Sequence, residues 1–138
     1  MYNFTNRKNN PELRQATSVS PFETSQLHHD PLMIFNDAIF VKQNYKFIKV
    51  KSDEIRYLEA NGNHTNIYTV NSKYVIRQVI VFVLDKLNKP NFVRVHRSYV
   101  INIDFLTTFN TTSIFLGKDE IPIGRNYKDE FFGRFNVM

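Results

Sequence analysis

Residues 92–102 read FVRVHRSYVIN, and the fold follows from how this stretch is parsed. Phe92, Val93 and Val95 are aromatic or β-branched residues that suit a pleated, half-buried surface, so 92–96 predicts a strand. The polar run His96-Arg97-Ser98 ends it, and 98–102 is expected to form a turn. Arg97 then lies just past a strand end. His96, between Val95 and Arg97, points to the other face of the extended chain and suits a structural role, bonded to backbone.

Short strands of the same texture run outward on both sides. Upstream, 39–43 and 46–51 flank Asn44-Tyr45 and predict a hairpin, Ser52-Asp53-Glu54 a short turn, and 55–60 a strand. Asn61-Gly62-Asn63-His64 is a loop, because Asn-Gly supplies the positive φ of a tight turn. Residues 65–70 and 73–77 predict a second hairpin around Asn71-Ser72. Residues 78–88, QVIVFVLDKLN, hold six consecutive apolar residues that suit a buried strand. Ile80, Leu84 and Leu87 nevertheless share one helical face, and Asn88-Lys89-Pro90 is a stop, which favours a helix ending near Asn88. Downstream, 103–109, 113–116 and 120–123 predict strands, and 125–135 a short amphipathic tail with Tyr127, Phe131 and Phe135 on one side. The expected class is mostly β, with one or two short helices and no helix-turn-helix.

The 138 residues suit a single domain of ordinary size, and 42% hydrophobic content supports a core. There is no cysteine, which removes disulfides, Cys-based zinc sites and thiol catalysis. No apolar run resembles a signal peptide or a membrane span, so a soluble, cytoplasmic protein is expected. The formal charge of +5 is unevenly spread: residues 1–37 hold three basic and four acidic groups, and the rest hold 15 and nine. A basic domain suits a polyanionic partner. Residues 1–37 are rich in Asn, Ser and Thr, with Pro11, Pro21 and Pro31 at intervals, and read as a flexible arm. Within that arm, Pro31-Leu32-Met33-Ile34-Phe35 is apolar enough to pack back on the domain, expected to occupy 38–138.

Three stretches, in order, resemble the LytTR family of bacterial DNA-binding domains. They are IRYLEANGNHTNI at 55–67, FVRVHRSYVIN at 92–102 and IPIGRNYKDEF at 121–131. The resemblance covers about residues 38–138 and implies an elongated arrangement of small antiparallel sheets. It implies sequence-specific binding of double-stranded DNA through loops at strand ends, as the effector domain of a response regulator of transcription. It also implies a stand-alone form, because a phosphoacceptor receiver needs well over about 100 residues, and an arm of 37 has no room for one.

Within that resemblance, Arg97 and Arg125 are the expected base readers. A guanidinium can bond bidentately to guanine O6 and N7 or clamp a phosphate; an ion pair with Asp104 or Glu120 is the competing role for Arg97. Gly124 precedes Arg125 and permits close backbone approach. His64, in the polar loop, is the third base contact, with Asn63 and Thr65 beside it. Asn66, Lys73, Arg77, Asn126 and Lys128 are expected at the sugar-phosphate backbone. Lys42, Lys46, Lys49 and Lys51 read as a solvated face.

His64, His96, Ser98, Asp104 and Glu59 include the residue types of a hydrolase, but no G-x-S-x-G, H-E-x-x-H or Gly-rich phosphate loop is present. Two isolated histidines 32 residues apart are weak metal ligands. No catalytic residue, metal, cofactor, small-molecule substrate or membrane partner is expected. The rival reading is a protein-interaction module using Val81, Phe82 and the C-terminal aromatic surface. Pairing of two copies on adjacent DNA sites is expected to use the outer face of the 78–88 helix, where Val81 and Phe82 lie.

Overall fold

Asparagine does much of the turning in this chain. The computed structural model describes residues 29–135, and what was expected of residues 1–28 lies outside them. A compact unit begins at Leu32. Its strands Leu32–Phe35 (β1), Ala38–Gln43 (β2) and Lys46–Lys51 (β3) form an antiparallel sheet in chain order. Asn36 and Asn44, at φ 56° and 59°, turn the two hairpins, since asparagine enters the left-handed region more readily than other side-chain-bearing residues. Phe35 lies opposite Ala38, so the apolar 32–35 stretch joins the domain as an edge strand.

A 3-10 turn at Ser52–Glu54 leads into the central sheet. Its strands are Ile55–Asn61 (β4), His64–Thr69 (β5), Lys73–Ile76 (β6), Phe92–His96 (β7) and Tyr99–Asn102 (β8), in the order β6-β5-β4-β8-β7. The expected turn over 98–102 is thereby corrected. The turn is confined to Arg97 and Ser98, and β8 is an inner strand paired with β4 and β7. Val100 and Ile101 point to opposite faces and both are fully buried, so no polar alternation marks the strand. Ile80–Leu87 forms helix α1, ended by Asn88 at φ 46°, as the Asn-Lys-Pro stop predicts. Ile80, Val83 and Leu87 are its buried residues, so the core face is centred on Val83 and not on Leu84.

Residues 103–109 are not one strand. Ile103–Phe105 is a 3-10 turn, capped by the Asn102 side chain, which accepts the Asp104 N–H at 3.0 Å. Thr108–Phe109 (β9), Ser113–Leu116 (β10) and Asp119–Pro122 (β11) make a third small sheet. A 3-10 turn at Arg125–Tyr127 and the short helix Lys128–Phe132 (α2) follow.

Two cores pack against the central sheet. Ile39, Val41 and Val50 of the first sheet and Ile80, Val83 and Leu87 of α1 meet Leu58, Ile67, Ile76, Phe92 and Val100. Ile114, Leu116 and Ile121 of the third sheet and Phe131 of α2 meet Val93, Val95 and Ile101. Neighbouring residues of β7 and β8 therefore serve different cores, which places this hairpin between them. Arg56 of β4 ties the third sheet down, donating to the Asp119 carboxylate at 2.5 Å and the Leu116 carbonyl at 2.6 Å.

Candidate nucleic-acid interface

Three turns come together at one end of the central sheet. The β4–β5 hairpin closes with Asn61 opposite His64, through Gly62 at φ 61°, a conformation that side chains resist. The Arg97-Ser98 turn lies beside it, because the Ala60 N–H donates to the Ser98 carbonyl at 2.8 Å and Glu59 lies opposite Tyr99. The third turn starts at Gly124, whose N–H donates to the Val95 carbonyl at 2.7 Å. A Cβ on Gly124 would come within 3.0 Å of the Tyr127 ring and 3.3 Å of the His96 Cα, so the close approach depends on glycine. His64, Arg97 and Arg125, far apart in sequence, thus stand on adjacent turns.

Arg97 and Arg125 are both exposed. Among the described residues, neither candidate acidic partner forms an ion pair with Arg97; Glu120 accepts from Ser113 at 2.8 Å and Asp104 from Asn91 at 3.4 Å. Two exposed guanidinium forks, unpaired among the described residues, are chemically suited to planar acceptors such as a base edge or a phosphate. Asn126 is exposed and Lys128 half-buried on the same short segment as Arg125. Arg77 follows Ile76, which lies opposite Thr65, so it sits at the turn end of the sheet. Lys73 lies opposite Tyr68, further from the turns, with its ammonium 5.4 Å from the Tyr68 ring centre.

Two polar residues expected to face DNA do not reach the surface. Asn66 is only 4% exposed, and its side-chain amide donates to Glu59 at 2.9 Å. Thr65 is fully buried, its hydroxyl donating to the Gln78 carbonyl at 2.6 Å. Both lie in the strand expected over 65–70, with their side chains bonded inside the sheet.

What sequence reading missed is the support under the turns. One carboxylate oxygen of Glu59 accepts from the Asn66 amide and from the Tyr68 phenol at 3.2 Å, while its second oxygen takes the Tyr99 hydroxyl at 2.9 Å. Burial pushes this carboxyl upward, but the bonds from Asn66, Tyr99 and Tyr68 and the charge of Lys73 outweigh it and hold it below the usual carboxylate range. Tyr57 stacks on Tyr68 with ring centres 4.4 Å apart, and burial pushes its hydroxyl up to about 12. One carboxylate therefore links β4, β5 and β8 just behind the His64 and Arg97 turns. The only signal in the sequence was the acidic residue closing a strand, without its tyrosine partners.

His96 does bond to backbone. Its Nδ1 accepts the Ser98 N–H at 3.0 Å, which leaves the ring proton on Nε2. Burial first, then the charges of Arg97 and Arg94, hold its pKa below 6.5. The unfolded chain therefore takes up this proton first as the pH falls. The contribution to stability is complete above about pH 6.5 and declines as the pH drops through the lower folded-state value. A proton on Nδ1 also removes the acceptor that closes the Arg97 turn. His96→Asn keeps an acceptor and does not titrate, so DNA affinity measured from pH 7.5 to 5.5 should fall more in the unmodified protein than in the variant, by roughly a few fold. Identical profiles would show that the ring does not close the turn.

The profile described as the LytTr DNA-binding domain matches residues 45–136. The chain is 32% identical over 125 residues to the transcriptional regulatory protein YpdB of Escherichia coli, covering 86% of this chain and 48% of that protein. It is 32% identical over 87 residues to the sensory transduction protein LytT of Bacillus subtilis, covering 59% and 36%. The transcriptional regulatory protein LytR of Staphylococcus aureus matches at 26% identity, covering 92% and 54%. The chain thus spans about half, or less, of the length of these relatives. In three dimensions it is similar to a LytTr DNA-binding domain of a putative methyl-accepting/DNA response regulator from Bacillus cereus. That match has a TM-score of 0.61 and 18% identity over 72% of this chain and 96% of the other.

Proposed function

The chain belongs to the LytTr DNA-binding domain family, and from that premise we propose that it binds double-stranded DNA sequence-specifically to regulate transcription. In this reading His64, Arg97 and Arg125 contact base edges, and Lys73, Arg77, Asn126 and Lys128 hold the sugar-phosphate backbone. Phosphate contacts position the protein, and base contacts specify the sequence. The supporting observation is the gathering of three turns at one end of the central sheet, two of them presenting arginines that form no ion pair among the described residues. The reaction class is binding alone, carried out in the cytoplasm, and none of these residues is asked to make or break a bond. Among the described residues, no helix is long and apolar enough to cross a membrane.

The rival reading, a protein-docking surface built on the C-terminal aromatics, is disfavoured by their packing. Phe131 is fully buried, and Phe109, Phe132 and Phe135 surround it with ring centres 5.2–5.4 Å away. The α1 surface is different: Val81 is 60% exposed, while Phe82 is half-buried with the Lys86 ammonium 5.2 Å from its ring. We assign this face to contact between two copies bound at paired sites.

Fluorescence polarisation with a duplex selected from a random library, and with a random duplex, tests the reading. Each neutralised phosphate releases counterions, so log K should fall linearly with log salt, with a slope of about −0.9 per phosphate. A duplex carrying two copies of the selected site should bind the second protein more tightly than the first. Affinity that ignores salt would remove DNA as the partner. Independent binding at two sites would remove the pairing.

A further inference from the structure

Sequence discrimination requires Arg97 and Arg125 to hold one mutual register, yet they sit on turns from different sheets' connections, 28 residues apart. One side chain touches both turns. Arg94 of β7 donates through Nε to the His96 carbonyl at 2.8 Å and through a terminal nitrogen to the carbonyl of Arg97 itself. The carbon at the centre of its guanidinium lies 5.9 Å from the centre of the Tyr127 ring, inside the 3-10 turn that begins with Arg125. The β7–β8 register shifts between Arg94 and His96, and this irregularity lets the strand turn back over its own arginine.

We propose that Arg94 is a positioning residue that couples the Arg97 turn to the Arg125 turn, so that base discrimination depends on a side chain that makes no base contact. The inference rests on the DNA-reading role given above. Its chemistry is particular to arginine. The planar fork reaches two carbonyls in fixed directions while its face covers a ring, whereas a lysine ammonium is a single rotating point charge. Arg94→Lys therefore removes the coupling and keeps the charge, which separates positioning from phosphate attraction.

The test uses the full chain, with binding to the selected and random duplexes measured across a salt series. Arg94→Lys should weaken the selected duplex about tenfold, within the range of one bidentate base contact, and the random duplex less than about twofold, with the salt slope unchanged. Tyr127→Phe keeps the ring face and should stay near the unmodified protein, whereas Tyr127→Leu should follow Arg94→Lys. In an Arg97→Ala, Arg125→Ala background, Arg94→Lys should cost little, because no base-reading fork remains to be positioned. Amide hydrogen exchange without DNA supplies an independent readout. Arg94→Lys should speed exchange at Ser98, Gly124 and Tyr127 together, since all three amides are hydrogen-bonded in these turns. Faster exchange in Arg94→Lys, together with an unmodified protein that fails to discriminate the duplexes, would sink the DNA reading while leaving the coupling in place. Unchanged exchange, or equal losses on both duplexes with a shallower salt slope, would overturn the coupling and make Arg94 a spectator or a phosphate contact.

Discussion

Arg97→Ala and Arg125→Ala are each expected to weaken binding to a selected duplex by roughly 5- to 150-fold, the loss of a bidentate base contact worth about 1–3 kcal/mol. Both guanidiniums are exposed, and neither forms an ion pair among the described residues. Truncation therefore removes the contact without leaving a buried charge behind. On random DNA each change should cost much less, because one phosphate-level attraction is lost out of several. Lys73→Ala is the contrasting case: it should weaken both duplexes by a similar small factor and make the salt slope shallower by about 1. The double variant should lose less than the sum of the two single losses if Arg94 holds their turns in common register, because residues sharing a network are not additive. Equal losses on selected and random duplexes from Arg97→Ala would end its base-reading role.

Phe131→Ala is expected to destabilise the domain by about 3–5 kcal/mol, the range for truncating a fully buried aromatic. Phe131 has no exposed surface and packs against Phe109, Phe132 and Phe135, with edge-on contacts at 5.4, 5.3 and 5.2 Å. It also joins Val93, Val95 and Ile101 of the central sheet to the third sheet. No neighbouring element is free to collapse into the space, because two sheets and α2 all border it. Small domains have only about 5–15 kcal/mol in total, so the urea midpoint should shift by a large fraction of its value. The Arg125 turn leads directly into α2, so DNA binding should weaken before global unfolding. A loss below about 1.5 kcal/mol would show that α2 is docked loosely and does not anchor that turn.

Strand by strand, legibility tracked the environment of each face. The β2–β3 and β5–β6 hairpins were readable because turn residues flank short runs and because at least one face meets solvent. The helix at Ile80–Leu87 was readable from its stop, although its run of apolar residues suited a strand equally well. Tyr99–Asn102 was misread because it is buried on both sides, and a stretch of consecutive apolar residues carries no period. Residues 103–105 were misread because the decision lies in a side-chain cap from Asn102, not in propensity.

The candidate site divides along the same line. Arg97, Arg125 and His64 were visible as exposed-type residues at strand ends inside recognisable motifs. Asn66 was placed at the surface because it is polar and next to a loop. Only the pairing of Glu59 with Asn66 shows that its amide is consumed inside the sheet. Arg94 passed unnoticed for a related reason: in an alternating strand it reads as one more outward charge.

Local chemistry in the sequence was sufficient to determine which segments turn, which strands pair with their neighbours in the chain, and which family the motifs belong to. Those features depend on residues a few positions apart, through φ preferences, side-chain period and the stop after α1. Only the tertiary structure decided that β4 lies between β5 and β8, and hence that the His64 and Arg97 turns are adjacent. The same holds for the Glu59 network and for Arg94 reaching Tyr127, which join residues tens of positions apart. A hydrogen bond or ring contact of this kind has no local signature. It exists because two separate cores, closing on opposite faces of one sheet, bring distant side chains within bonding distance.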